Sequence, residues 1–305
     1  MKRKVAEVED TYAEVFDGLF CRIIITAKDE IRLKHAAYGS TALPMVVVGR
    51  TEGGVEKVLT PKQTPDKRLG AIVQFWGAID KSKPSENSLK KFVKEVSYRI
   101  RQEILVEPTT AVFNAWESDK KFDVMDSVGH CGDGYEWEEE AYGRRVINIP
   151  LMMLGFRIER RLGYGVGVSG GNIWLMCRDE DSALKAGDRA LEAIHTVEGV
   201  ITPFDICSAG SKPETNFPEI GPTTNHYYCP SLKNKITDSK VPEGVESIPE
   251  IVINGMSMDA VKKAMKEAIN ATKKMRGVIK ISAGNYGGKL GRHRIYLNEL
   301  LKNEV

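Results

Sequence analysis

Displacing the sequence by 78 residues lays its second half onto itself. Ile173 falls on Ile251, Asp181 on Asp259 and Ala186 on Ala264; Ala190 then meets Ala268, Ala193 meets Ala271, and Gly199-Val200-Ile201 meets Gly277-Val278-Ile279. Each copy reads as an apolar strand (Ile173–Cys177; Ile251–Asn254), an amphipathic helix (Ser182–Val197; Met258–Met275) and a Gly-Val-Ile lead into a further strand. Gly199 and Gly277 fall where a helical stop is expected. Both copies reach Ser-Ala-Gly, at Ser208–Gly210 and Ser282–Gly284, although the first arrives four residues later. Two βαβ units in tandem predict a ferredoxin-like lobe.

The first half shows the same alternation. Cys21–Thr26 and Met45–Val48 read as strands on either side of a short helix, Asp29–Tyr38. Ala71–Trp76 is another strand, and Ser85 caps a helix whose Leu89, Phe92, Val93, Val96, Ile100 and Ile104 keep the 3.6 period, with Pro108 marking its exit. At 305 residues the chain exceeds one ordinary core. The expected fold is therefore α/β (α+β), with two ferredoxin-like βαβ sandwich lobes related by duplication. The boundary is placed near Pro150, after the turn signal Gly132–Tyr135 and the acidic stretch Glu136–Glu140, which gives lobes of 1–149 and 150–305. No Pro/Ser-rich linker separates the halves, so tight packing is expected.

Several function classes drop out on composition. The formal charge of +2 gives no electrostatic reason for a nucleic-acid partner. The start shows no signal-peptide pattern, and apolar runs such as Ile147–Leu154 are too short to span a membrane, so a cytoplasmic protein is expected. Five scattered cysteines without a CxxC read as reduced thiols, with Cys21, Cys177 and Cys207 in core-like contexts. His130-Cys131 and the His226/Cys229 pair of HYYCP match no zinc spacing, and no metal is expected. A Cys229 nucleophile activated by His226 has no better support.

Three glycine-rich segments stand out: Gly163–Gly171, Ser208–Lys212 and Ser282–Gly291. None is a Walker loop, and the GxGxxG at Gly165–Gly170 precedes a strand instead of following one. They read as tight turns or as places where a bulky cofactor approaches the backbone; spacing leaves both open. Glu250 begins the apolar strand EIVING, and its repeat counterpart is Asn172. A desolvated carboxyl there would hold its proton near neutral pH and serve as a general acid, whereas an edge glutamate in solvent would do neither.

In this order, the segments resemble the formylmethanofuran:tetrahydromethanopterin formyltransferases along nearly the whole chain. The resemblance begins with DTYAEVFDG (Asp10–Gly18), RIIITA (Arg22–Ala27), EGGVEK (Glu52–Lys57) and TPDKRLG (Thr64–Gly70). It runs through PTTAVFNA (Pro108–Ala115), GDGY (Gly132–Tyr135), GRRVINIP (Gly143–Pro150), GVSGGNIWLM (Gly167–Met176) and EGVITPF (Glu198–Phe204). It closes with SAGSK (Ser208–Lys212), TTNHYYCPSL (Thr223–Leu232), EIVINGM (Glu250–Met256) and KISAGNYGGKLGRHRIYL (Lys280–Leu297).

The resemblance implies formyl transfer from N-formylmethanofuran to N5 of tetrahydromethanopterin, or of the close analogue tetrahydrosarcinapterin. It implies a homotetramer of two related α/β lobes, with these C1 carriers as substrates and no prosthetic group. The family's catalytic glutamate, thought to act protonated, maps onto Glu250. Lys212, Lys289 and Arg292 become candidates for substrate carboxylates and phosphate; Asn172, Ser211, Asn225 and Asn285 become candidate polar contacts. One stretch departs from the family pattern: Phe204–Thr224 lacks the usual Pro-Gly-Gly, and Pro213-Glu214 follows Lys212. That departure sustains a rival reading, a non-catalytic pterin-binding or scaffolding paralogue.

Overall fold

The computed structural model describes residues 5–42, 51–79, 85–153, 155–221 and 223–302. The strand expected at Met45–Val48 and the capping expected of the Ser85 side chain lie outside them. Chain contacts divide the molecule into two compact units, Gly18–Val166 and Met1–Asp17 with Gly167–Val305.

The chain starts with β1 (Glu7–Val8) and the long β2 (Tyr12–Ala27), whose later residues, the Ile-rich run, belong to the Gly18–Val166 unit. There α1 (Glu30–Thr41), β3 (Thr51–Leu59), β4 (Leu69–Ala78), α2 (Ser85–Arg99) and β5 (Ala111–Asn114) follow. A π-helical turn, Ile100–Ile104, carries the α2 pattern to its expected end. The antiparallel pairs set the order β3-β4-β2-β5, that of a ferredoxin-like lobe. Successive side chains alternate between faces. Ile23, Ile25, Val73 and Phe75 therefore meet Ala36, Phe92 and Val96 of the helices, while Ile24, Ile72 and Phe113 pack on the opposite face. Beyond the short β6 (Lys121–Asp123), β7 (Trp137–Ala141), β8 (Arg144–Pro150) and β9 (Gly155–Glu159) extend the sheet from β5. Pro150, where the sequence places a lobe boundary, pairs with Gly155 inside this sheet. Contacts along the chain change from one unit to the other within β2 and within β10 (Arg161–Cys177).

The second unit realises the 78-residue repeat. After β10 come α3 (Glu180–Ile194) and β11 (Val200–Ile201); β12 (Glu250–Gly255) is followed by α4 (Met258–Thr272) and β13 (Val278–Ser282). The strand order β13-β10-β12-β11 is again ferredoxin-like. β14 (His293–Tyr296) pairs with the first residues of β2, and α5 (Leu297–Leu301) closes the description. The helix starts are equivalent down to the cap. Asp179 accepts from the Ser182 N–H at 2.7 Å and Ser257 from the Ala260 N–H at 3.1 Å, each cap worth about 1 kcal/mol. Both helices end three residues short of expectation, and tight turns lead to Gly199 (φ 79°) and Gly277 (φ 95°), left-handed conformations that favour glycine. Ala186, Ala190, Ala264 and Ala268 are buried, and these small side chains let α3 and α4 pack on each other and on the sheet.

The Gly163–Gly171 run, for which the sequence leaves tight turns and close approach to a cofactor both open, is strand. It lies within β10, where glycine answers close packing: a Cβ on Gly163 would come within 2.1 Å of the Trp116 carbonyl oxygen.

Candidate active site

Strand parity creates the site. In β10 and β12, Ile173, Leu175, Cys177, Ile251 and Ile253 enter the core beneath α3 and α4. Trp174 and Met176 must then face the other side, where they pack with Val241 and Val245 and with the partly buried Tyr228 and Tyr286. The antiparallel register sets Glu250 directly opposite Trp174. This second face is covered by the long connection from β11 to β12, residues 202–249, which is irregular apart from short 3-10 turns. Connections of that length are commonly functional.

Glu250 is only 7% exposed. Its Oε1 accepts from the Trp174 indole Nε1 at 2.9 Å, and its backbone is bridged in both directions to Cys207, each bond 2.9 Å. Burial pushes the Glu250 carboxyl up; hydrogen bonds from Trp174 and Cys207 pull it the other way and do not prevail. Among the described residues no cation pairs with it. The site is thus a carboxyl held towards its neutral form by an apolar and aromatic setting. Ring contacts tighten that setting, with Tyr228 and Tyr286 edge-on to Trp174 at 4.7 and 6.5 Å.

Two clefts open here. One, of about 350 Å³, is lined by Trp174, Ser208, Asn225, Tyr228, Cys229 and Glu250 among others. The second, of about 830 Å³ and more polar, includes Lys212, Asn225, Tyr228, Asn285, Tyr286 and Lys289. Asn225 and Tyr228 belong to both walls.

The candidates from sequence separate accordingly. Lys212, Asn285 and Lys289 line the polar cleft, and Asn225 lines both. Lys212 donates to the Glu214 carbonyl at 2.7 Å, and Lys289 is ion-paired with the Glu214 carboxylate. Ser211 hydrogen-bonds Tyr286, whose hydroxyl is pushed up by burial and by the nearby Glu250, so it stays protonated. Ser211, Asn172 and Arg292 line neither cleft. Asn172, 5% exposed, accepts from the Gly284 N–H at 2.7 Å and so fastens Ser282–Gly284, while Arg292 is exposed. Cys229 and His226 do not pair: the thiol meets Thr224 and the Asn225 carbonyl, and the imidazole stacks on Tyr227. Cys21 and Cys177 are buried as expected, but Cys207 is only partly so because it edges the Glu250 strand. Among the described residues no group of His, Cys, Asp and Glu could hold a metal ion, and no helix is long and apolar enough to cross a membrane.

Sequence reading missed Trp174, Tyr228 and Tyr286 as site residues, and it missed Glu14. Fully buried, Glu14 accepts four backbone N–H groups of the closing glycine-rich loop: Tyr286 at 2.7, Gly288 at 2.6, Leu290 at 2.9 and Gly291 at 3.0 Å. Burial pushes its carboxyl up, but the four amides outweigh burial and hold it below the usual glutamate range. These amides of Ser282–Gly291 therefore serve an internal carboxylate, which shapes the segment carrying Tyr286 and Lys289.

Comparison with known proteins places this arrangement. A family model described as formylmethanofuran-tetrahydromethanopterin formyltransferase matches residues 1–151, and one described as FTR, proximal lobe, matches residues 155–300. A formylmethanofuran–tetrahydromethanopterin formyltransferase-like protein of Archaeoglobus fulgidus is 59% identical over 97% of this chain and 96% of its own. The protein of the same organism named formylmethanofuran–tetrahydromethanopterin formyltransferase is 40% identical over 98% of this chain and all of its own. The solved formyltransferase of Methanosarcina barkeri superposes with a TM-score of 0.87 at 38% identity, covering 97% of this chain and 98% of that one. With both halves matched and full-length relatives well above 30% identity, the chain belongs to the formylmethanofuran–tetrahydromethanopterin formyltransferase family.

Proposed function

We propose that the protein transfers a formyl group from N-formylmethanofuran to N5 of tetrahydromethanopterin, or of tetrahydrosarcinapterin, within a ternary complex. The observation that carries this reading is Glu250, a buried carboxyl with neutral hydrogen-bond partners on the wall of a cleft that adjoins a second one. The N5 lone pair adds to the formyl carbon and the carbonyl π pair moves onto oxygen. Collapse of the tetrahedral adduct then breaks the bond to the methanofuran nitrogen. Glu250 gives its proton to that departing amine and takes the one released from N5, so formyl and hydrogen change places and the carboxyl is restored. Holding both carriers at once supplies much of the rate, and no covalent enzyme intermediate is needed.

Lys212 and Lys289 suit the anionic ends of the carriers, which would compete with Glu214 for them. Asn285 supplies a polar contact beside them, and Ser211 acts only through its hydrogen bond to Tyr286. Asn172 and Arg292, which line neither cleft, are retained only as indirect supports. Greater identity to the formyltransferase-like relative, together with the changed Phe204–Thr224 stretch, favours a different preference among carrier variants, not a different chemistry.

The test is a spectrophotometric transfer assay with purified protein and both carriers. Turnover is expected; tight pterin binding without turnover would instead favour the scaffolding paralogue. Assembly as a cytoplasmic homotetramer belongs to the same proposal, and light scattering checks the oligomer.

A further inference from the structure

Asn225 has an unusual environment. It is 7% exposed, and together with Tyr228 it forms the wall common to both clefts. Its backbone carbonyl accepts from the Tyr228 N–H at 3.0 Å, yet its side-chain amide has no hydrogen bond among the described residues, and Oδ1 is buried without a partner. Buried amides are nearly always satisfied, because an unmade bond in a desolvated place costs free energy. Oδ1 is closed off from solvent in this conformation, so it gains a partner when the amide turns towards the cleft to meet what enters.

An asparagine side chain presents an acceptor beside a donor in one plane, so its complement is an N–H beside a C=O. A tetrahydropterin carries such an edge at its reacting end, where N5–H and the C4 carbonyl lie side by side on adjoining rings. The junction of the clefts is also where reacting atoms from two substrates must meet.

We infer that Asn225 clamps this edge, Oδ1 accepting from N5–H and Nδ2 donating to the C4 oxygen; the inference rests on the formyl-transfer reading above. Fixing the N5 hydrogen fixes its lone pair, which the clamp turns towards a formyl group bound beside Glu250. Asn225 takes no proton: it orients the nucleophile for attack and lets go of the N5 hydrogen once the adduct has formed, when Glu250 takes it as described.

The test compares tetrahydromethanopterin with its N5-methyl derivative, which lacks the N5 hydrogen, by calorimetric titration of wild type, Asn225→Leu and Asn225→Asp. Wild type should bind the methylated pterin at least about tenfold more weakly, the scale of one hydrogen bond. Asn225→Leu should lose about ten- to a hundredfold in affinity for the unmethylated pterin and in kcat/KM, and the preference should vanish. Asn225→Asp, which keeps an acceptor and loses the donor, should retain part of the preference, and it carries the test if the leucine variant does not fold. An unchanged preference in a folded variant overturns the inference, as would a wild type with no preference. If wild type transfers no formyl group and binds neither pterin, the functional reading fails as well; turnover with an unchanged preference in the variant sinks the clamp alone.

Discussion

Each unit buries a glutamate on the sheet face turned away from its helices, and the two are partnered in opposite ways. In the Gly18–Val166 unit, Glu56 receives the Arg22 guanidinium through Nε and Nη2, both at 2.8 Å, and the Gln74 amide at 2.8 Å. Trp76 donates to that same Gln74 at 2.9 Å. In the other unit a tryptophan on the neighbouring strand donates directly to Glu250, and among the described residues no guanidinium pairs with it. Burial alone therefore does not make an acid catalyst. A bidentate cation fixes Glu56 as a charged brace, whereas Glu250, offered only neutral donors, is favoured with its proton on. The connections differ to match. Residues 60–68 join β3 to β4, but residues 202–249 join β11 to β12, and only the longer one has the length to wall a cleft.

This contrast can be broken in four ways. Glu250→Gln keeps the acceptor for Trp174 but cannot move a proton, and turnover should fall about 10²- to 10⁴-fold with the fold intact. Near-normal rates with both carriers would remove Glu250 from the chemistry. Arg22→Met leaves Glu56 buried without its cation and should cost about 3–5 kcal/mol of stability in urea denaturation. A loss below about 1 kcal/mol, the range of exposed pairs, would mean that the brace is not one.

The third test is pH linkage. Glu250 sits above its ordinary value of 4.5 when folded. Below that value both states hold the proton, so Glu250 adds no penalty. As pH rises from there to the elevated value, the unfolded state deprotonates first and the wild type loses stability. Asn- or Gln-type neutrality has no such slope, so the advantage of Glu250→Gln over wild type should grow with pH, by about 1.4 kcal/mol per unit of displacement. A flat difference across that window would place the carboxyl in solvent-like surroundings. The smallest effect is expected from Trp174→Phe. Losing an N–H that favours the carboxylate should move the alkaline limb of the pH–rate profile up by about one unit or less; a downward move would contradict the geometry.

Legibility in the sequence followed the kind of information each feature carries. The repeat marked both helices of one unit and their glycine stops, because caps, periodicity and left-handed turns are local. Glu250 was legible as the polar first residue of an apolar strand. The glycine run at 163–171 was not, because its reason is the approach of Trp116 from elsewhere in the chain. Arg292 and Asn172 look alike in sequence to Lys289 and Asn225, since proximity to a glycine-rich segment does not say which side faces the cleft. Glu14 was the least legible, for its partners are main-chain amides and leave no mark in residue type.

The Glu14 bonds also order events in folding. Their donors stand 272 to 277 residues further along the chain. The segment bearing Tyr286 and Lys289 can take its final shape only when the two ends of the polypeptide have met, a closure across a very long loop. The unit of residues 18–166 is contiguous and can form while synthesis proceeds. The unit that holds Glu250 must wait for residues 286–291 to leave the ribosome, so a chain stopped short of them carries Glu250 without the shaped Tyr286–Lys289 wall of the polar cleft.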